Sequence, residues 1–163
     1  MVVIQNKEIQ SQLVAHSWNQ PQVAQASHVL VLCIPKNYTT EDVEKYFSLV
    51  KNIRNTPDDI LKPFKEMLTS SIATKTQEEL KKWNTNQAYI ALGNLMTVAA
   101  NEQIDSCPME GFIAEKYDEI LNLDKHNLTS ILVLPVGFRA EDDFMKDLKK
   151  IRRETAEVVI EIN

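Results

Sequence analysis

Two uninterrupted apolar runs, HVLVLCIP at 28–35 and SILVLPV at 130–136, constrain the fold of this chain more than any other feature. Each falls well short of the ~20 residues a membrane helix needs. Their length and branched residues instead favour buried strands. A shorter apolar segment at 2–5 reads as a further short buried strand, and VVIEI at 158–162 as a terminal one. The segments between them carry helical periodicity. The pattern therefore predicts an α+β fold in a single domain spanning 1–163.

The helices declare themselves through caps and stripes. Asn6 can cap a helix whose apolar side is Ile9, Leu13 and Val14. His16 to Asn19 reads as a turn, and Pro21 suits the first turn of a short helix. Thr40, with Glu41 and Asp42 behind it, starts a helix with Val43, Tyr46, Phe47 and Val50 on one side. A second helical stretch at 61–72 is interrupted or restarted at Pro63, which makes 39–75 a helical excursion from the core. Thr76 and Glu79 form a capping-box pattern that opens the longest helix, to about Asn101. Its apolar residues cover so much of its surface that it reads as central and buried, with Gly93 packed closely against another helix. A short strand at 104–108, a helix at 114–123 and a short amphipathic helix at 141–149 complete the pattern.

Several function classes are excluded. The net charge is −5, whereas a nucleic-acid partner favours a basic face. The three glycines, Gly93, Gly111 and Gly137, cannot form GxGxxG or a phosphate-cradling P-loop. No GxSxG elbow, HExxH or Cys/His cluster is present, so neither a hydrolase nor a metal site is expected. Cys33 and Cys107 read as two reduced thiols. With no charged leader before the first strand, the reading is cytoplasmic and without a membrane anchor.

Two places could carry chemistry. In Cys107-Pro108-Met109-Glu110-Gly111-Phe112 a proline and a glycine bracket a strand-to-helix turn. Gly111 removes a side chain that would block a ligand's approach to the backbone, although spacing alone favours a plain strand-to-helix connection. The run Lys149-Lys150-Ile151-Arg152-Arg153 is a basic anomaly in an acidic chain. Lys150 and Arg152 would share one side of an extended segment and could bind phosphate, or the run could be a solvated helix end.

Read with their neighbours, these segments resemble the FMN-dependent nitroreductase family. NQAYIALGNLMTVAANEQIDSCPMEGF (86–112) is similar to the family's long helix running into its flavin loop. SILVLPVGFRAEDD (130–143) resembles the following strand and turn, KKIRR the late basic pair, and VVIQNKEIQSQLVAHSWNQ the early strand, helix and turn. The likeness covers nearly the whole chain in a consistent order. It implies a three-layer fold with a central, mostly antiparallel sheet flanked by helices, N-terminally shortened. The family's usual opening segment, with an Arg-x-Ser/Ala motif and a Gln-Pro-Trp element, is expected to be missing before Met1.

By the same resemblance, Pro108 shapes a loop in which Met109, Glu110 and Gly111 face the flavin ring. Asn19 and Gln22 lie at its pyrimidine edge, and Lys150 and Arg152 on the FMN phosphate. Gln22 stands where some relatives carry a lysine, so it brings a hydrogen bond without a charge. The implied activity is electron transfer from NADH or NADPH, through FMN, to a nitro compound, quinone or similar small-molecule acceptor in a ping-pong cycle. No protein acid or base is assigned. The implied assembly is a homodimer with the site at its interface, the excursion near the substrate opening and the terminal strand reaching the partner. Two alternatives stay open: a non-catalytic scaffold or fragment with weak or no flavin, and a flavin-binding sensor without turnover.

Overall fold

The two apolar runs lie side by side at the centre of the sheet. The computed structural model describes residues 1–162. Strands β1 (Val2–Ile4), β2 (His28–Pro35), β3 (Asp105–Ser106) and β4 (Leu128–Gly137) form one sheet in the order β1-β2-β4-β3. All three pairings are antiparallel. In the central pair Val31 faces Val133 and Leu32 faces Leu132, but Cys33 faces Ser130. Ile131 is thus the extra residue of a bulge.

Side chains alternate across β2, so the two faces bury different sets. On one face Ile4, Val29, Val31 and Val133 pack with Leu13 of α1 (Lys7–Val14), Val23 of α2 (Gln22–Gln25) and Tyr117 of α6 (Ala114–Ile120). On the other, Leu32, Ile34, Leu132 and Leu134 pack with Ala88 and Leu92 of α5 (Gln77–Asn101). Ile131 joins Leu132 on the α5 side, as the bulge requires. Helices, sheet and helix make three layers. A third cluster joins Val43 and Phe47 of α3 (Thr40–Arg54), Ile72 of α4 (Asp58–Ala73) and Leu80 of α5.

The caps read from the sequence at Asn6 and at Thr76 with Glu79 act as expected, and α3 carries a further one. Asn6 accepts from the Glu8 and Ile9 amides at 2.9 and 3.1 Å. Thr76 and Glu79 cap α5 reciprocally, and Thr39 with Asp42 does the same for α3. Helix α4 runs unbroken through Pro63.

Five expectations are corrected. β1 is an edge strand ending at Ile4, with Val3 exposed, so it is buried on one face only. α5 buries a single stripe, Leu80, Asn84, Ala88 and Leu92, spaced four apart. Tyr89, Ile90 and Val98 are exposed, and an added Cβ at Gly93 would meet nothing within 4 Å, so no helix packs there among the described residues. Residues 141–149 form turns rather than a helix. Asp143 accepts from the Met145 amide and the Glu141 carbonyl accepts from Lys146 Nζ, local bonds that compete with a short helix lacking a packed face. Finally, 158–162 pairs with no strand among the described residues. Thr155–Val158 is one helical turn (α7), and the apolar residues after it are exposed.

Candidate cofactor-binding face

The turn after α1 and the segment after β3 meet edge to edge. His16 and Ser17 continue α1 through bonds to the Leu13 and Val14 carbonyls. The chain then reverses through Trp18 and Asn19, both left-handed at φ 53° and 57°. Asparagine tolerates that region, but a tryptophan there is uncommon. The opposing segment enters from β3, where the Cys107 amide donates to the Pro135 carbonyl at 3.0 Å. Met109 exchanges two backbone bonds with Val133, at 2.8 and 3.0 Å, and its side chain is buried.

Four contacts hold the two segments together. The Ile113 amide donates to the His16 carbonyl at 2.8 Å. Ser17 Oγ donates to the Leu13 carbonyl, so the 2.7 Å bond to Tyr117 is donated by the phenol. Both of those side chains are fully buried, and burial pushes the Tyr117 phenol up from its ordinary value. The Trp18 indole lies against Gly111, where an added Cβ would stand 2.7 Å from Cε3. Gln20 Nε2 donates to the Gly111 carbonyl at 3.4 Å.

This junction gathers most of the residues expected from the sequence. Gln22 Nε2 donates to Gln20 Oε1 at 2.8 Å and lies 3.8 Å from Cys107 Sγ and 3.9 Å from Met109 Sδ. Pro108, Glu110 and Asn19 are exposed around it. The Phe112 amide donates back to the Glu110 carbonyl at 2.9 Å. Among the described residues the Glu110 and Gly111 amides have no acceptor. Tyr89 of α5 donates to the Glu110 carboxylate, which raises the Tyr89 phenol above its usual range.

Lys150 and Arg152 stand apart. They lie on an exposed segment without regular structure, and no recorded bond ties either to the 107–112 loop. Neither has a carboxylate within 4 Å among the described residues. Lys150 does reach the edge of the sheet electrostatically. Asp105 of β3 is held below the usual carboxylate range by its paired bonds from Arg139, with a smaller contribution from Lys150. A cavity of about 290 Å³ lies between β2 and α5, and one of about 930 Å³ between α3 and α4. Neither includes the loop. Trp18, Gln20, Tyr89 and the Ser17–Tyr117 pair were not legible as site residues, because only the meeting of two distant segments reveals them.

The fold is a three-layer one with an antiparallel sheet and this loop running beside β4, and comparison with known proteins fixes the family. Residues 1–138 match the nitroreductase family, and the chain belongs to it. A protein of Staphylococcus epidermidis provisionally named an NAD(P)H nitroreductase is 36% identical over 149 residues, covering 86% of this chain and 68% of its own length. A nitroreductase-like protein from Streptococcus mutans superposes with a TM-score of 0.82 at 24% identity, over 99% of this chain and 76% of that one. A provisionally named nitroreductase from Exiguobacterium sibiricum, solved in complex with FMN, gives 0.82 at 16% identity over 99% and 75%.

Proposed function

We propose that this protein is an FMN-dependent oxidoreductase that takes electrons from NADH or NADPH and delivers them to nitro compounds, quinones or similar small-molecule acceptors in a ping-pong cycle. The observation that carries the reading is the junction itself. In a nitroreductase fold, two backbone N–H groups without an acceptor among the described residues, at Glu110 and Gly111, lie on the same loop as the residues facing the Gln22 amide. These groups fit the polar edge of an isoalloxazine ring. Lys150 and Arg152, with no carboxylate within 4 Å among the described residues, fit a phosphate. The flavin, when bound, supplies the hydride chemistry.

The chain's own residues bind and orient. Glu110 and Gly111 offer N–H donors, Gln22 and Asn19 offer amides, and Met109 anchors the loop to β4. Gln22 brings no charge, so it stabilises a developing anion less than an ammonium would. The proposed assembly is a homodimer formed partly through α5, whose Tyr89, Ile90 and Val98 are exposed beside the open Gly93 position. The relatives' names and the FMN-bound neighbour support the reading.

A second reading, a scaffold with weak or no flavin, is favoured by one observation: Trp18 already fills the space beside Gly111. FMN titration followed by flavin fluorescence separates the two. The oxidoreductase reading expects saturable binding, weakened about tenfold or more by Lys150→Ala together with Arg152→Ala, since a charge-assisted bond contributes ~1.5–3 kcal/mol. Absence of saturable binding by the unmodified chain supports the scaffold.

A further inference from the structure

We infer that Gln20 is a positioning residue of the proposed flavin face: its amide ties the Gly111 carbonyl to Gln22 and thereby fixes which end of the Gln22 amide turns toward the loop. The inference rests on the functional reading above and deepens it.

The argument is one of donor and acceptor parity. The Gly111 carbonyl can only accept, so the end of Gln20 that meets it, at 3.4 Å, must be Nε2. Gln20 Oε1 is then the end that faces Gln22, at 2.8 Å. An oxygen there can only accept, so Gln22 must present Nε2. Reversing either amide would place two acceptors against each other. The same orientation turns Gln22 Nε2 toward the sulfurs of Cys107 and Met109 and leaves Gln22 Oε1 without a partner among the described residues. The polarity of Gln22 is therefore set by a backbone carbonyl two side chains away. Gln20 is half-buried and makes these bonds without needing to touch a ligand.

Gln20 also closes a small circuit. Gln20 and Gln22 flank Pro21, at the start of α2, while Gly111 belongs to the loop. Loss of Gln20 would free the Gln22 amide to rotate and leave the loop attached at this side by the Ile113–His16 bond and the Trp18 contact.

The test combines Gln20→Met, Gln20→Glu, Gln22→Met and the Gln20→Met/Gln22→Met double variant in the full chain. Hydrogen exchange of the Phe112 and Ile113 amides in flavin-free protein reads the clamp directly. FMN affinity and the midpoint potential of bound FMN read its consequence. Gln20→Met should speed exchange at those amides by about threefold to tenfold, the range of one net hydrogen bond. It should weaken FMN binding by a similar factor and shift the potential in the same direction as Gln22→Met. The double variant should exceed the larger single effect by little, because both act through one network. Gln20→Glu keeps an acceptor for Gln22 but sets a carboxylate against the Gly111 carbonyl, so it should speed exchange more than Gln20→Met. It also serves as the folded alternative should Gln20→Met not fold. Unchanged exchange overturns the clamp. Faster exchange with an unchanged potential, or fully additive effects, makes Gln20 a structural tie and overturns the positioning role. If the unmodified chain binds no FMN, the proposed function fails while the exchange measurements still decide whether the clamp exists.

Discussion

Gly111 shows how one residue can be needed for space rather than for conformation. Its φ is not positive, so any residue could adopt its backbone angles. What excludes a side chain is the Trp18 indole, 2.7 Å from the missing Cβ. Because Trp18 is 73% exposed, Gly111→Ala should displace the ring rather than break the fold. Tryptophan emission should shift, while stability falls by no more than the ~1–3 kcal/mol typical of overpacking. Unchanged emission would mean that the indole does not rest there. The thiols give a second prediction. Cys107 is exposed beside Gln22, whereas Cys33 is half-buried and its thiol is pushed up to about 11, chiefly by burial. Iodoacetamide near neutral pH should modify Cys107 first, because the thiolate is the reacting form. The slower Cys33 rate should still be rising between pH 9 and about 11. FMN should protect Cys107, and mass spectrometry reads all three. Equal labelling of both thiols, or no protection by a bound flavin, would contradict the placement of Cys107 on this face.

Among the elements, α6 depends on one buried carboxylate. Asp118 accepts from the Ser130 amide and hydroxyl, both at 2.8 Å, and from the Thr129 hydroxyl at 2.7 Å. These bonds pin α6 to the start of β4, and α6 in turn carries Tyr117 against the candidate face. Asp118→Ala should destabilise the protein by about 3 kcal/mol in urea unfolding, since it strands buried donors and removes charge-assisted bonds. A loss below about 0.5 kcal/mol, the range of an ordinary surface change, would show that packing alone holds α6. Elements were legible where a local signal agreed with tertiary need. The apolar runs became β2 and β4, and the Thr76–Glu79 box opened α5. Elements were misread where periodicity lacked a partner within the chain. The 141–149 pattern had no face to pack against and gave way to local side-chain bonds. The 158–162 pattern had strand propensity but pairs with no strand among the described residues, and its apolar side chains are exposed. At the site, Gln22 and the 108–111 loop could be matched as separate segments. Their joining through Gln20 and Trp18 could not, because it depends on contacts between residues about ninety apart in sequence.

At the scale of the whole molecule, several groups of large apolar side chains are exposed among the described residues. One is the face of α5 with Ile90 and Val98. A second comprises Tyr46, Leu49 and Ile53 on α3 with Ile60, Phe64 and Met67 on α4. A third is the C-terminal segment with Ile151, Ile160 and Ile162. Such extended exposure is unusual for a monomer and is the physical basis for proposing a homodimer. Sedimentation velocity should give a species of about twice the 18.7 kDa chain mass. Replacing Ile90 and Val98 with glutamate should return it to one chain, and a monomer before substitution would contradict the proposed assembly.

The central claim is that the junction of Gln22 with the 107–111 loop binds a redox-active flavin. The most direct measurement is the visible absorption spectrum of the purified chain after addition of FMN and removal of the excess, followed by anaerobic addition of NADH or NADPH. The account predicts a retained flavin spectrum that bleaches with the nicotinamide. A colourless protein would contradict it, and a retained spectrum that neither nicotinamide bleaches would leave flavin binding without the proposed oxidoreductase activity.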